Sequence, residues 1–148
     1  MNRRAIAVFS IAAVLGLTGC SAPAGLKVLD REATAEDKLP ESVSLTGVDL
    51  NVEAGTARLL ATFDDVQYFG AKSSTSGAVC LIAVPVGLPE RWRAGCSAVA
   101  RSEQIVTISG GDGTEAKLIN DGVDTNRPEY QGWTRVHENV LISKPSRN

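Results

Sequence analysis

The chain of 148 residues carries 15 basic and 17 acidic side chains, a net charge of −2, and is 43% hydrophobic, which suits one domain with its own core. Its basic residues do not gather into the clustered face that nucleic-acid binding needs, so that class of partner is excluded. Beyond residue 17 no apolar run approaches the about 20 residues of a membrane-crossing helix, which excludes a polytopic helical membrane protein.

The chain opens with Arg3 and Arg4, followed by an apolar run from Ala5 to Leu17 broken only by Ser10 and closed by Leu17-Thr18-Gly19-Cys20. Positive charge followed by a short apolar run is the order of a secretory signal. Leu17-Thr18-Gly19-Cys20 resembles the lipobox of bacterial lipoproteins: Leu, a small residue, Gly or Ala, then Cys. The resemblance implies a diacylglycerol on the Cys20 sulfur, cleavage between Gly19 and Cys20, and acylation of the new amino terminus. The alternative is an ordinary secretory signal that happens to contain a cysteine. The Ala5-Ile6-Ala7 that follows Arg4 does not extend a twin-arginine motif, which favours Sec export. Two or three acyl chains hold a protein firmly at a bilayer, because each buried methylene adds about 0.8 kcal/mol. The expected location is therefore the outer, extracytoplasmic face of the cell membrane. Ser21 is not the aspartate associated with inner-membrane retention, so in a two-membrane envelope outward sorting is open.

Cleavage would remove Arg3 and Arg4 and no acid, leaving thirteen basic residues against seventeen acids. With Cys20 taken by lipid, Cys80 and Cys96 remain as an even pair outside the cytoplasm, where disulfides persist. A redox or metal pair would favour Cys-x-x-Cys spacing, which this pair lacks, so the expectation is a structural disulfide contributing about 3 kcal/mol.

Residues 20–54 read as the lipidated N-terminus and a flexible tether. Ser21-Ala22-Pro23-Ala24-Gly25 is small and mobile in character, and the charged stretch Asp30–Lys38 contains no aromatic residue. Thr34 and Asp37 stand at capping-box spacing, and Pro40 ends any helical turn there. With its Asp37-Lys38-Leu39-Pro40, this leader resembles those of small uncharacterised lipoproteins of high-GC Gram-positive bacteria, a likeness that implies no activity.

Residues 55–148 read as a β-rich globular domain. The predicted elements are a strand at Ala57–Phe63, a turn at Asp64-Asp65, a strand at Val66–Lys72, and a central strand at Ala78–Val84 buried on both faces. Arg91–Ala94 pairs back weakly, with Trp92 covering one end of the core, and Cys96–Ser102 is a helical turn or loop. Gln104–Ser109 and Thr114–Asn120 form a hairpin across Gly110-Gly111-Asp112-Gly113. After the polar loop Asp121–Gln131, Gly132–Ser143 supplies the last one or two strands, with Trp133, Val136, Val140 and Ile142 directed to the core. The fold class is mainly β, a small antiparallel sheet or sandwich of six to seven strands with one disulfide, following a signal helix.

No catalytic set assembles in the sequence. His137 is the single histidine, and Ser102, Ser109 and Ser143 lie in no nucleophile motif. One histidine and no free thiol cannot fill a zinc site. The glycine-rich turn lacks the Lys-Ser/Thr of a phosphate-binding loop. Asn120, Asp121, Asp124, Asn126 and Glu129 are the best oxygen cluster, but their spacing is that of a polar turn rather than an EF-hand. No cofactor or metal is expected. Tyr68, Trp92 and Trp133 form a candidate binding face, since Tyr and Trp anchor interfaces. The expected function is a membrane-anchored, non-enzymatic interaction domain acting on an envelope protein. The alternative is a lipoprotein binding a small molecule, metal or cell-wall fragment, and a deep, closed apolar pocket ringed by a few polar groups would favour it over an open sheet face. An exported hydrolase would need Asp64, Asp65, Glu103, Asp112 and His137 to converge.

Overall fold

A computed structural model describes residues 25–45, 50–75, 77–99 and 103–144; the signal segment with Gly19 and Cys20, and Ser102, lie outside the described residues. Eight antiparallel strands form among the described residues, most of them from runs rich in branched and aromatic residues, and they are arranged as two four-stranded sheets. The first sheet is a meander of β1 (Arg58–Phe63), β2 (Val66–Lys72), β3 (Ala78–Pro85) and β4 (Arg93–Ala98). The second contains β5 (Gln104–Ser109), β6 (Glu115–Ile119), β7 (Trp133–His137) and β8 (Val140–Ser143), in the order β5-β6-β8-β7. The mainly β reading holds, with more strands than expected. The last segment is a hairpin, in which His137 pairs with Val140 across a two-residue turn.

The period-two pattern of β2 and β3 sorts their side chains between two cores. Tyr68, Val79, Leu81 and Ala83 face inward against Ile105, Ile108, Ala116, Leu118, Val140 and Ile142 of the second sheet. Phe69, Ala71, Cys80, Ile82 and Val84 face outward into a second apolar cluster. β3 is thus buried on both faces, as its continuous apolar run predicts. The sheets approach closely at Gly95, where an added Cβ would lie 2.9 Å from Ile108 Cγ2 and 3.2 Å from Val106 Cγ2. Glycine is required there by space rather than by a positive φ.

Cys96 is part of a strand, which corrects the helical turn or loop expected from residue 96 onward. β4 runs through to Ala98 because it pairs along the whole of β3, from Ala83↔Arg93 to Ala78↔Ala98. The register sets Cys80 directly opposite Cys96, with Cα atoms 4.0 Å apart, and the two sulfurs are bonded.

The largest departure concerns the tether. Residues 26–43 are packed against the sandwich. Leu26 and Leu29 are buried in the inner core, Leu29 with 3% exposure, and Val43 is buried in the outer cluster with Leu39 and Leu45 beside it. Gly70 makes room for this: a Cβ there would meet Leu29 Cδ2 at 3.2 Å. Two buried polar groups fasten the backbone. The Arg58 guanidinium donates to the carbonyls of Arg31 (2.9 and 2.8 Å), Gly55 (3.0 Å) and Ala57 (2.8 Å). The Asp37 carboxylate accepts from both Arg31 guanidinium nitrogens at 2.6 Å, from the Thr34 amide at 2.7 Å and from the Leu59 amide at 2.7 Å. The Thr34–Asp37 spacing therefore does close a capping interaction, around the short 3-10 turn Ala35–Asp37. The charge density that suggests a spacer is an ion pair wrapped around a buried carboxylate.

Candidate functional site

Three turns and the end of β8 meet at one end of the sandwich. The first is the β1–β2 turn, where Asp64 and Asp65 both adopt positive φ (48° and 56°) in a two-residue hairpin. The second is the β3–β4 connection, with a 3-10 turn at Pro89–Arg91. The third is the β5–β6 hairpin, where the Gly110 amide donates to the Thr114 carbonyl at 2.7 Å and Gly113 sits at φ 79°. Between them opens a cleft of about 640 Å³, within the range of small-molecule sites.

Its apolar lining comes from Phe63, Val66, Pro85, Leu88 and Ile142, with Tyr68 as the inner limit. Tyr68 is only 1% exposed, and that burial pushes its phenol above the ordinary tyrosine value. Leu88 is 46% exposed on the rim. The charged lining comprises Arg91, Arg93, Lys144, Asp64 and Asp112. Lys144 forms an ion pair with Asp64 and lies 5.5 Å from the Phe63 ring centroid. The Asp112 carboxylate is taken by Thr114, accepting from its amide at 3.0 Å and its hydroxyl at 2.9 Å. Those bonds hold Asp112 below the usual carboxylate range, with a smaller contribution from the nearby Arg93. Neither Arg91 nor Arg93 enters an ion pair among the described residues.

The residues that a hydrolase would need do not converge. Asp64 and Asp112 line the cleft, with Asp65 beside Asp64 on its turn. Glu103 and His137 lie at the other end of the second sheet, where β6 finishes. There the Glu103 carboxylate holds Arg127 and accepts from the Tyr130 hydroxyl at 3.3 Å. His137 Nδ1 accepts from the Asn139 amide at 3.1 Å, and burial pushes the imidazole below its ordinary value. Asn139, 1% exposed, donates to the Ile119 carbonyl (3.2 Å) and to Asp121 (2.8 Å). His137 thus serves the β7–β8 hairpin. In the 121–131 loop Asp124 accepts from the amide and side chain of Asn126, both at 3.0 Å, while Glu129 pairs with Arg127. Asp124, Asn126 and Glu129 are thus spent within the loop, and Asp121 on Asn139 and the Lys27 amide.

The three aromatic candidates do not share a face. Tyr68 lies in the inner core, and Trp92 packs on the outer cluster of the first sheet. Trp133 lies outside the second sheet, with Lys117 Nζ 4.1 Å from its ring centroid. Alternation along β2 signals that Tyr68 and Phe69 part company, but nothing in the local pattern tells which sheet face each tryptophan covers. Only Tyr68 reaches the cleft. The cleft's arginines were missed in the sequence because they flank Trp92 in a segment read as a weak strand.

No family model, curated protein or solved structure matches this chain. The cleft must therefore be read from its own chemistry.

Proposed function

We infer that this chain is an envelope lipoprotein, held on the outer face of the cell membrane by lipid on Cys20, and that its sandwich binds a small molecule or cell-wall fragment in the end cleft without chemical conversion. The observation that carries this reading is the cleft itself: apolar walls and two arginines outside any ion pair among the described residues, at the end of the sandwich remote from Gly25. The Gly25 carbonyl accepts from the Asp121 amide, and the Asp121 carboxylate accepts from the Lys27 amide at 3.0 Å, so the leader joins the domain where β6 ends. The cleft lies where β6 begins.

Five residue steps separate Cys20 from Gly25, a reach of at most about 18 Å. A lipid on Cys20 therefore keeps the Asp121 end toward the bilayer and presents the cleft to the envelope space. A second reading, contact with a protein partner, draws on the exposed rim residues Val86 and Leu88, 55% and 46% accessible. A photoreactive residue at position 88 of the full chain in its native envelope is expected to trap an adduct. The same group at the exposed Glu138, on the far end, is the background. Adduct yield at 88 no greater than at 138 would overturn the cleft as the working surface. A small mass shift supports the ligand reading, and a protein-sized adduct supports the second.

A further inference from the structure

We propose that the end cleft recognises a monocarboxylate carried on an apolar body, with the carboxylate received by Arg93 and Arg91 and the body lying against Phe63, Val66 and Leu88. This rests on the reading of the cleft as a ligand site and adds the class of ligand. The decisive group is Arg93. It is half-buried at the start of β4, and its Nε is shielded from solvent without a hydrogen-bond partner among the described residues. A shielded guanidinium N–H left unpaired is costly, and such groups are uncommon in folded proteins.

The surroundings hold it there. Gly110 lets the guanidinium pack on its backbone, since a Cβ at that position would lie 3.0 Å from Arg93 Cζ and 3.1 Å from an Arg93 Nη. The nearest acid on that turn, Asp112, is committed to Thr114 and forms no ion pair with Arg93. Arg91 stands two residues earlier, exposed on the same lining. A guanidinium presents paired donors whose geometry matches the two oxygens of a carboxylate.

The charge of the lining decides between anions. Arg91, Arg93 and Lys144 oppose Asp64 and Asp112, an excess of a single positive charge. That excess is neutralised by a monoanion and overshot by a phosphate monoester dianion. The apolar wall, continued by the accessible Leu88, calls for a hydrocarbon or aromatic body rather than a bare ion. The cleft also faces away from the bilayer that the anchor would occupy, so a free acid fits better than a headgroup of that membrane.

The test uses the full lipidated chain in phosphatidylcholine nanodiscs, titrated calorimetrically with 4-phenylbutyrate, its neutral amide and inorganic phosphate. The acid is expected to bind at least tenfold more tightly than the amide, with inorganic phosphate weak. Arg93→Met is expected to abolish the preference for acid over amide while leaving the melting temperature unchanged or higher, since no partner of Nε is lost. A merely structural arginine would lower it. Arg91→Gln, at an exposed position, is expected to weaken acid binding several-fold, and Arg135→Met, at an exposed position of β7, to leave it unchanged. Equal binding of acid and amide would overturn the carboxylate assignment while leaving the cleft a ligand site. Absence of binding by either would also overturn it, and trapping at position 88 then judges the cleft separately. Displacement of 4-phenylbutyrate when phosphatidylglycerol enters the nanodisc would assign the site to a lipid phosphodiester and overturn the proposal.

Discussion

Asp37 shows how one side chain converts a polar leader into part of the domain. The residue is 4% exposed, yet its carboxylate accepts from Arg31, Thr34 and Leu59, so a charge that would be expensive to bury alone is compensated. The Arg31 hydrogen bond, aided by the Thr34 and Leu59 amides against the opposing effect of burial, holds Asp37 well below the ordinary carboxylate range. The folded state therefore binds this proton more weakly than the unfolded chain, whose aspartates titrate at about 3.9. The stabilisation is present in full above that value and is lost as pH falls below it toward the folded value. Asp37→Asn is expected to cost about 2 kcal/mol at neutral pH, by weakening the charge-assisted hydrogen bonds that the buried carboxylate makes with the half-exposed Arg31 and the Thr34 and Leu59 amides. Urea unfolding at pH 7 and pH 3 checks this: the wild-type loses stability between those points, and the variant loses less. His137 acts in the same direction at higher pH. Burial disfavours its charged form, so its contribution declines as pH falls through about 6.5.

At the scale of elements, the leader and the disulfide close the outer side of the first sheet. Cys80 and Cys96 lie in the outer cluster with Leu39, Val43, Val52 and Trp92, and the Leu50 carbonyl oxygen lies 3.4 Å from Cys96 Sγ. The leader thus covers a sheet face that would otherwise leave Phe69, Ile82 and Val84 open to water. Leu29 is the sharpest probe of this arrangement, because it enters the inner core beside Leu60 and Gly70 rather than merely covering a surface. Leu29→Ala is expected to destabilise the domain by about 3 kcal/mol, the usual cost of emptying a buried leucine site. Denaturant unfolding followed through tryptophan fluorescence measures it. A mobile tether would register no change.

For the whole molecule, the short path from Cys20 to Gly25 matters more than the length of the leader. The proposed anchor places the domain within about 18 Å of its lipid, with the Asp121 end inward and the Arg93 end outward. Cys20→Ser is expected to move the exported chain from the membrane fraction to the soluble fraction on ultracentrifugation. Retention of the variant in the membrane would remove the lipid from the account. The described residues contain no helix long and apolar enough to cross a membrane, so the described domain offers no helical substitute for that anchor.

Much of the sheet architecture was legible because its signals are local. The unbroken apolar run at 78–84 pointed to a strand covered on both faces, the glycines at 110–113 marked a hairpin, and Cys80 and Cys96 were left as an even pair once Cys20 was assigned to lipid. The buried leader was not legible, because Leu26 and Leu29 stand among charges and their burial depends on the space left by Gly70 in a strand some forty positions later. The site was hidden for the same reason. Arg91 and Arg93 carry no local signal inside the weakly pairing segment Arg91–Ala94; a role shows only once β4 aligns with β3 and the 110–114 hairpin brings Gly110 and Asp112 beside Arg93. Sequence alone determined the mainly β class, the cysteine pairing and the expected anchor, since each rests on residue type and short spacing. Only the tertiary structure decided which charges were partnered and which were left facing a cleft, because that depends on contacts between segments the chain keeps far apart.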